Sequence, residues 1–190
     1  MADANYILAG IAGGGASGSE LAYFAPTGST APTNATAALD AAFLPAGYVS
    51  EDGLTKGVDE DTNTIRAYGS YAPVRTITKS STVTFQCQFL ETNKVSVAVY
   101  QRLGLSAITV TAGAFSVTEG PARTQRYAGV FEVIDGSRLC RVYCPLLEVT
   151  DREEFKVGAG EAVLYGVTMT AYPGTDGVAA KYFYVIPGLT

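Results

Sequence analysis

The sequence predicts a single, mostly β domain with long surface segments. Three observations carry that reading. Of the 190 residues, 47% are hydrophobic and only 16% are charged, too apolar for a disordered chain and too lightly charged for a coiled coil. The 21 glycines, set among many Thr, Val, Ala and Tyr, suit strands and turns. From residue 106 onward, one alternating run follows another with turn residues between them. A chain of this length builds one good core and is short for two.

Residues 1–18 read as an N-terminal arm, a short apolar piece followed by Gly-rich sequence. Residues 19–190 form the domain. SELAYFAP (19–26) is a first strand. Residues 27–45 are a long Thr/Ala/Pro loop, too polar and broken for core. Residues 64–78 are rich in β formers but interrupted by Gly69 and Pro73, and a proline in a strand marks an edge or a bulge.

STVTFQCQFL (81–90) is the cleanest strand. Val83, Phe85, Cys87 and Phe89 share one face, and Thr82, Thr84, Gln86 and Gln88 share the other. Residues 92–104 are expected to be helical. Thr92 or Asn93 supplies the N-cap, Val95, Val99 and Leu103 share a face, and Gly104 closes the run. Strands then follow at 106–118, 126–135, 137–149, 161–172 and 178–186. Asp135-Gly136 and GTDG (174–177) are the tight turns.

Charge and composition exclude several functions. Eighteen acidic against 13 basic residues give a net charge of −5, which argues against binding nucleic acid or an anionic membrane. There is no histidine, so Ser-His-Asp and Cys-His catalysis and His-based zinc sites are removed together. Three cysteines are not a secretory disulfide framework. Cys140 and Cys144 lie four residues apart in an alternating run, about 13 Å along a strand, beyond the roughly 7 Å a disulfide allows. All three read as small core residues of a reducing compartment. No apolar run is long enough to span a membrane, and no basic residue precedes the apolar N-terminus, so a signal peptide is not expected.

Four motifs tempt a chemical reading. GGGASG (13–18) fits the dinucleotide fingerprint, but only seven residues separate Gly18 from Pro26, leaving no room for the crossover helix. DEDTN (59–63) starts like a calcium loop, yet Thr64 and Ser70 stand where Gly and Glu are required, so the acids read as a solvated loop. DREEF (151–155) offers carboxylates, but adjacent acids in a turn do not face across a sugar pocket, and there is no Trp to stack a ring. RTQRY (123–127) is a small basic patch that acids of a neighbouring subunit would satisfy. No catalytic residue, cofactor or metal site is expected. A self-assembling structural protein and a monomeric β-sandwich binding module for a ligand or carbohydrate remain.

The stretch GYVSEDGLTKG, the run IRAYGSYAPVRTITKSSTVTFQCQFLETN and the ending YQRLG decide between them. Over residues 44–104 they resemble the major tail tube protein of long-tailed, non-contractile bacteriophages, especially those of actinobacterial hosts. The matching positions are Gly47, Tyr48, Ser50 to Leu54, Tyr68-Gly69 (where Trp is as common in place of Tyr68), Arg75, and Glu91 to Asn93. The resemblance implies two packed antiparallel sheets forming a barrel-like β-sandwich flanked by one α-helix, as in contractile tails and type VI secretion tubes. It implies six-fold rings that stack into a hollow tube for passage of the genome, in a virion assembled in the host cytoplasm. The implied partners are other copies of the chain, a tape measure inside the tube, terminator and tip proteins at its ends, and double-stranded DNA in transit, without membrane binding.

On that basis residues 53–80 are expected to form an inter-ring contact loop or hairpin. Ser50, Glu51, Asp52, Leu54, Lys56, Asp59, Glu60 and Asp61 are the contact candidates. Unpaired strand edges, hazardous in a monomer, can pair with a neighbour in a ring, and a head-to-tail contact along an axis gives a filament. Glu132, Asp135 and Glu161 are candidates to line a negative bore that repels DNA.

Overall fold

A computed structural model describes residues 7–10, 21–121 and 123–188. The elements in chain order are β1 (Ala22–Pro26), β2 (Leu44–Pro45), β3 (Val49–Arg66), β4 (Pro73–Phe89), α1 (Lys94–Tyr100), β5 (Arg126–Asp135), β6 (Arg138–Arg152), β7 (Tyr165–Tyr172) and β8 (Lys181–Val185). All paired strands are antiparallel, in the order β2-β1-β5-β6-β7-β4-β3, with β8 also on β6. Most of the expected arm, residues 1–6 and 11–18, lies outside the described residues.

The 15-residue strand β6 turns this ladder into two layers. Its first half pairs with β8 as far as Tyr143, and its second half pairs with β7 from Leu146. Between them stands Pro145, which has no N–H to give a ladder. Opposite, β5 has one residue fewer between Tyr127 and Gly129, a bulge that bends the pair. One layer therefore holds β2, β1, β5, β6 and β8, and the other holds β6, β7, β4 and β3. Phe85 of β4 stacks on Phe131 of β5 at 5.2 Å, and Phe24 of β1 meets Phe89 of β4 edge-on at 5.9 Å. These rings join strands that are not ladder neighbours, so the contacts run across the sandwich.

The alternation read in 81–90 holds. Phe85, Cys87 and Phe89 are buried, Gln86 is exposed and Gln88 half-exposed. The hairpin turn also holds: Asp135 pairs with Arg138 across Gly136 and Ser137, with Gly136 at φ 60°. GTDG closes through Gly177 N to the Gly174 carbonyl at 3.0 Å.

The helix is shorter than its pattern. Asn93 is the N-cap, accepting from the backbone N–H groups of Val95 and Ser96 at 2.8 and 2.9 Å, while Ser96 Oγ accepts from Asn93 N. The end comes at Tyr100, not Gly104. Arg102 takes the left-handed position at φ 55°, and Leu103 N and Arg102 N donate to the Ala98 and Val99 carbonyls, a Schellman closure with arginine where glycine is usual. Asn93 Nδ2 also donates to the Ala46 carbonyl at 2.9 Å. Asn93→Ala is expected to cost about 1–2 kcal/mol, read as a lower urea midpoint at unchanged slope.

Two expectations are corrected. Residues 106–118 are not a strand. Among the described residues, their one β contact is an isolated bridge from Thr111 to Ala114, around Ala112 and Gly113 at positive φ. The apolar residues there, Ile108, Phe115 and Val117, pack onto the core one at a time instead of along a ladder. The 27–45 segment is not excluded from the core either. It covers the outer face of β1, β5 and β6, where Phe43 is buried with Tyr23, Ala25, Ala128, Val130 and Tyr143.

Candidate functional site

Residues 49–89 build the feature that stands apart from the sandwich. β3 and β4 are 18 and 17 residues long, but β7 supports β4 only from Val83 to Phe89. Beyond Val58 and Val83, every residue from 59 to 82 is exposed. The stretch is a free two-stranded arm about 30 Å long, counted at about 3.4 Å per residue.

The base of the arm is anchored by motif residues from two separate segments. Gly47 sits at φ 83°, with the Glu91 carboxylate packed against it. That carboxylate accepts from Tyr48 N at 2.8 Å, and Asn93 Nδ2 donates to it at 3.3 Å. Leu90 N donates to the Tyr48 carbonyl. The Gly-Tyr and Glu-Thr-Asn pieces are thus two halves of one fastening, and the left-handed φ of Gly47 favours glycine where they meet. Next to it the ladder slips. Val49 pairs with Phe89 and Leu54 with Cys87, so residues 50–53 bulge opposite Gln88.

The contact candidates divide along this arm. Ser50, Glu51 and Asp52 lie in the bulge, with Gly53 at φ 67°. Ser50 and Leu54 are half-buried, and Leu54 packs on the core. Lys56 holds its ammonium 4.7 Å above the Tyr182 ring of β8. Asp59, Glu60 and Asp61 are strand residues, paired with Thr82, Ser81 and Ser80. This corrects the reading of DEDTN as a loop, although the side chains are solvated as expected. Asp61 lies 3.8 Å from Lys79, both well exposed, a pair worth little.

Cross-strand partners share a face, so the two faces of the arm can be read from the register. Thr62 with Thr78 and Thr64 with Thr76 make one face threonine-rich; Asn63 with Ile77 and Ile65 with Arg75 lie on the other. Ala67 to Ser70 turn the chain with Gly69 at φ 79°, Ser70 N donating to the Ala67 carbonyl, as position i+2 of a type II turn requires. At the tip Tyr68 and Tyr71 are wholly exposed, and Val58, Ile65, Val74 and Ile77 are exposed along the shaft. A lone hairpin is marginal in water, and this one displays aromatic and β-branched side chains that nothing among the described residues covers.

The three bore candidates lie in different surroundings. Glu132 accepts from Arg141 Nε at 2.6 Å and is nearly buried. Arg141 Nη1 also donates to the Asn34 and Ala37 carbonyls at 2.8 and 2.7 Å. Asp135 pairs with Arg138 at 3.3 Å and accepts from Ala9 N at 3.1 Å. Glu161 is exposed, close to Glu51 and Asp52 in a cleft beside the base of the arm.

The remaining motifs are occupied structurally. Glu153 of DREEF accepts from Gln86 and Gln88 at 2.9 and 2.6 Å, and Gly166 leaves it room. Arg126 of RTQRY pairs within the chain, with Glu148 at 3.0 Å, so a neighbouring subunit is not needed for it. Cys87 and Cys144 are buried free thiols whose pKa burial pushes up to about 12, far from the activated range. Sequence reasoning did not single out the tip tyrosines as a contact, or the cleft. The signal for the tip lay in the run 64–78, which alternates without a core face.

The arrangement is suited to binding protein: an exposed edge, a threonine-rich face, a face with exposed isoleucines, and an aromatic tip. A family model described as phage tail tube protein matches residues 16–186. No curated protein matches the chain.

Proposed function

The chain belongs to the phage tail tube protein family, and on that premise we propose that it forms hexameric rings which stack into the hollow tube of a non-contractile tail. It is a structural component of the virion tail that assembles with copies of itself and with other tail proteins. The observation that carries the finer reading is the arm of residues 59–82, exposed on both faces. An arm of this length reaches well beyond its own sandwich, and its apolar residues call for a neighbour. Residues 50–61 then serve the contact between rings. Tape measure, terminator and tip proteins complete the tail, assembled in the host cytoplasm.

The same reading gives the net charge a role. Six copies at −5 each carry −30 per ring, and DNA carries one negative charge per about 1.7 Å. Repulsion over a Debye length of about 8 Å keeps the genome from sticking in a bore slightly wider than itself. Glu132 and Asp135 are matched by arginines and Glu161 stands beside the arm, so we assign the repulsion to the wall as a whole.

Negative-stain microscopy of the purified protein tests this. Rings or tubes are expected; uniform single-chain particles would favour the binding module instead.

A further inference from the structure

We infer that the tip of the arm docks in the cleft at the base of the arm on a second copy of the chain. The inference rests on the arm being the link between copies and adds what that link grips. The cleft has a volume of about 520 Å³ and an apolar floor of Leu90, Ala162 and Leu164, within the range that holds a bound group. Its rim carries Glu51, Asp52 and Glu161. None of these three is in an ion pair among the described residues, so the cleft gathers unbalanced negative charge beside uncovered apolar surface.

The tip has the complementary character. Tyr68 and Tyr71 are fully exposed, and Arg66 and Arg75 flank them on the paired strands. Tyrosine and arginine are the residues most used as interface anchors. Opposite charge steers and registers such a contact. The occupant is another copy because the arm itself holds the two parts of one chain apart: the cleft residues of β3 lie before Leu54, Tyr68 lies beyond Arg66, and the paired stretch from Leu54 to Arg66 alone spans roughly 40 Å. Tip and cleft are different surfaces on one chain, so each copy that uses its tip still offers its cleft. A heterologous contact of that kind repeats without closing and grows a filament.

Charge reversal tests this. Arg66→Glu with Arg75→Glu, and separately Glu51→Arg with Glu161→Arg, are each expected to cut sedimentable polymer at least about tenfold. All four changes together are expected to restore it. In a second measurement, Tyr71→Cys with Ala162→Cys, oxidised after assembly, should give a covalent ladder in steps of one chain, with each single change as its blank. Reversals that leave polymer yield at the unsubstituted level, or assembled tubes that give no ladder, would overturn the inference. Loss of tubes when the arm is removed, with no effect of the reversals, removes the cleft and leaves the arm. Tubes that survive removal of the arm reject both.

Discussion

A chain in which Asn-Gly replaces residues 60–81 is expected to fold as before and to form no tubes. The replacement keeps Asp59 opposite Thr82, which are Cα partners in the ladder. Asn-Gly between them makes the two-residue type I′ turn that matches strand twist. Nothing buried is lost, because every residue from 59 to 82 is exposed, while Leu54, Val83 and Phe85 remain on the core. The change in stability should stay within about 1 kcal/mol, or roughly 2–4 °C in melting temperature. Assembly should respond completely, since the removed segment holds Tyr68, Tyr71, Val74 and Ile77, the uncovered surface that a neighbour would bury. Sedimentation and circular dichroism separate the two effects. Tubes of normal length would sink the role given to the arm.

The second large effect is expected at Arg141. Arg141→Met leaves the Glu132 carboxylate nearly buried without its partner and removes the donor from two loop carbonyls, those of Asn34 and Ala37. Stranding one member of a buried pair costs about 3–5 kcal/mol, a large share of the roughly 5–15 kcal/mol available to a whole domain. Glu132→Leu with Arg141→Met removes the stranded charge and should recover more than half of that loss, read from urea unfolding. A single substitution that costs less than about 1 kcal/mol would show that the pair is not the fastening for residues 34–37.

Arg141 also shows where the sequence stops being legible. Residues 27–45 look too polar for core, and locally they are. Phe43 is buried because a guanidinium about 100 positions away holds the loop down, at the Asn34 and Ala37 carbonyls, over Tyr143 and Val130. Likewise Glu132 reads as a free acid until its partner on β6 is known. In contrast, the second half of β4 (residues 81–89), the turn at Gly136 and the Asn93 cap were readable, because alternation, turn chemistry and capping act within a few residues. Residues 106–118 alternate as β4 does, yet form no strand. Alternation describes a side-chain pattern, and a strand also needs an edge to pair with. Asp59 to Asp61 show the converse: three acids in a row suggest a loop, but their backbone pairs with Ser80 to Thr82, across a turn that local polarity does not reveal.

The motif Gly47-Tyr48 and the motif Glu91-Thr92-Asn93 were legible as a family pattern before their purpose was. Their meeting at the Glu91 carboxylate fixes where the arm leaves the sandwich.

The central claim is that residues 59–82 join one ring to the next. A helical reconstruction of assembled tubes by cryo-electron microscopy tests it most directly. The account predicts density for the arm lying against a chain of the adjacent ring, with Tyr68 and Tyr71 buried there. Arms projecting into solvent, or packed only within their own ring, would contradict it.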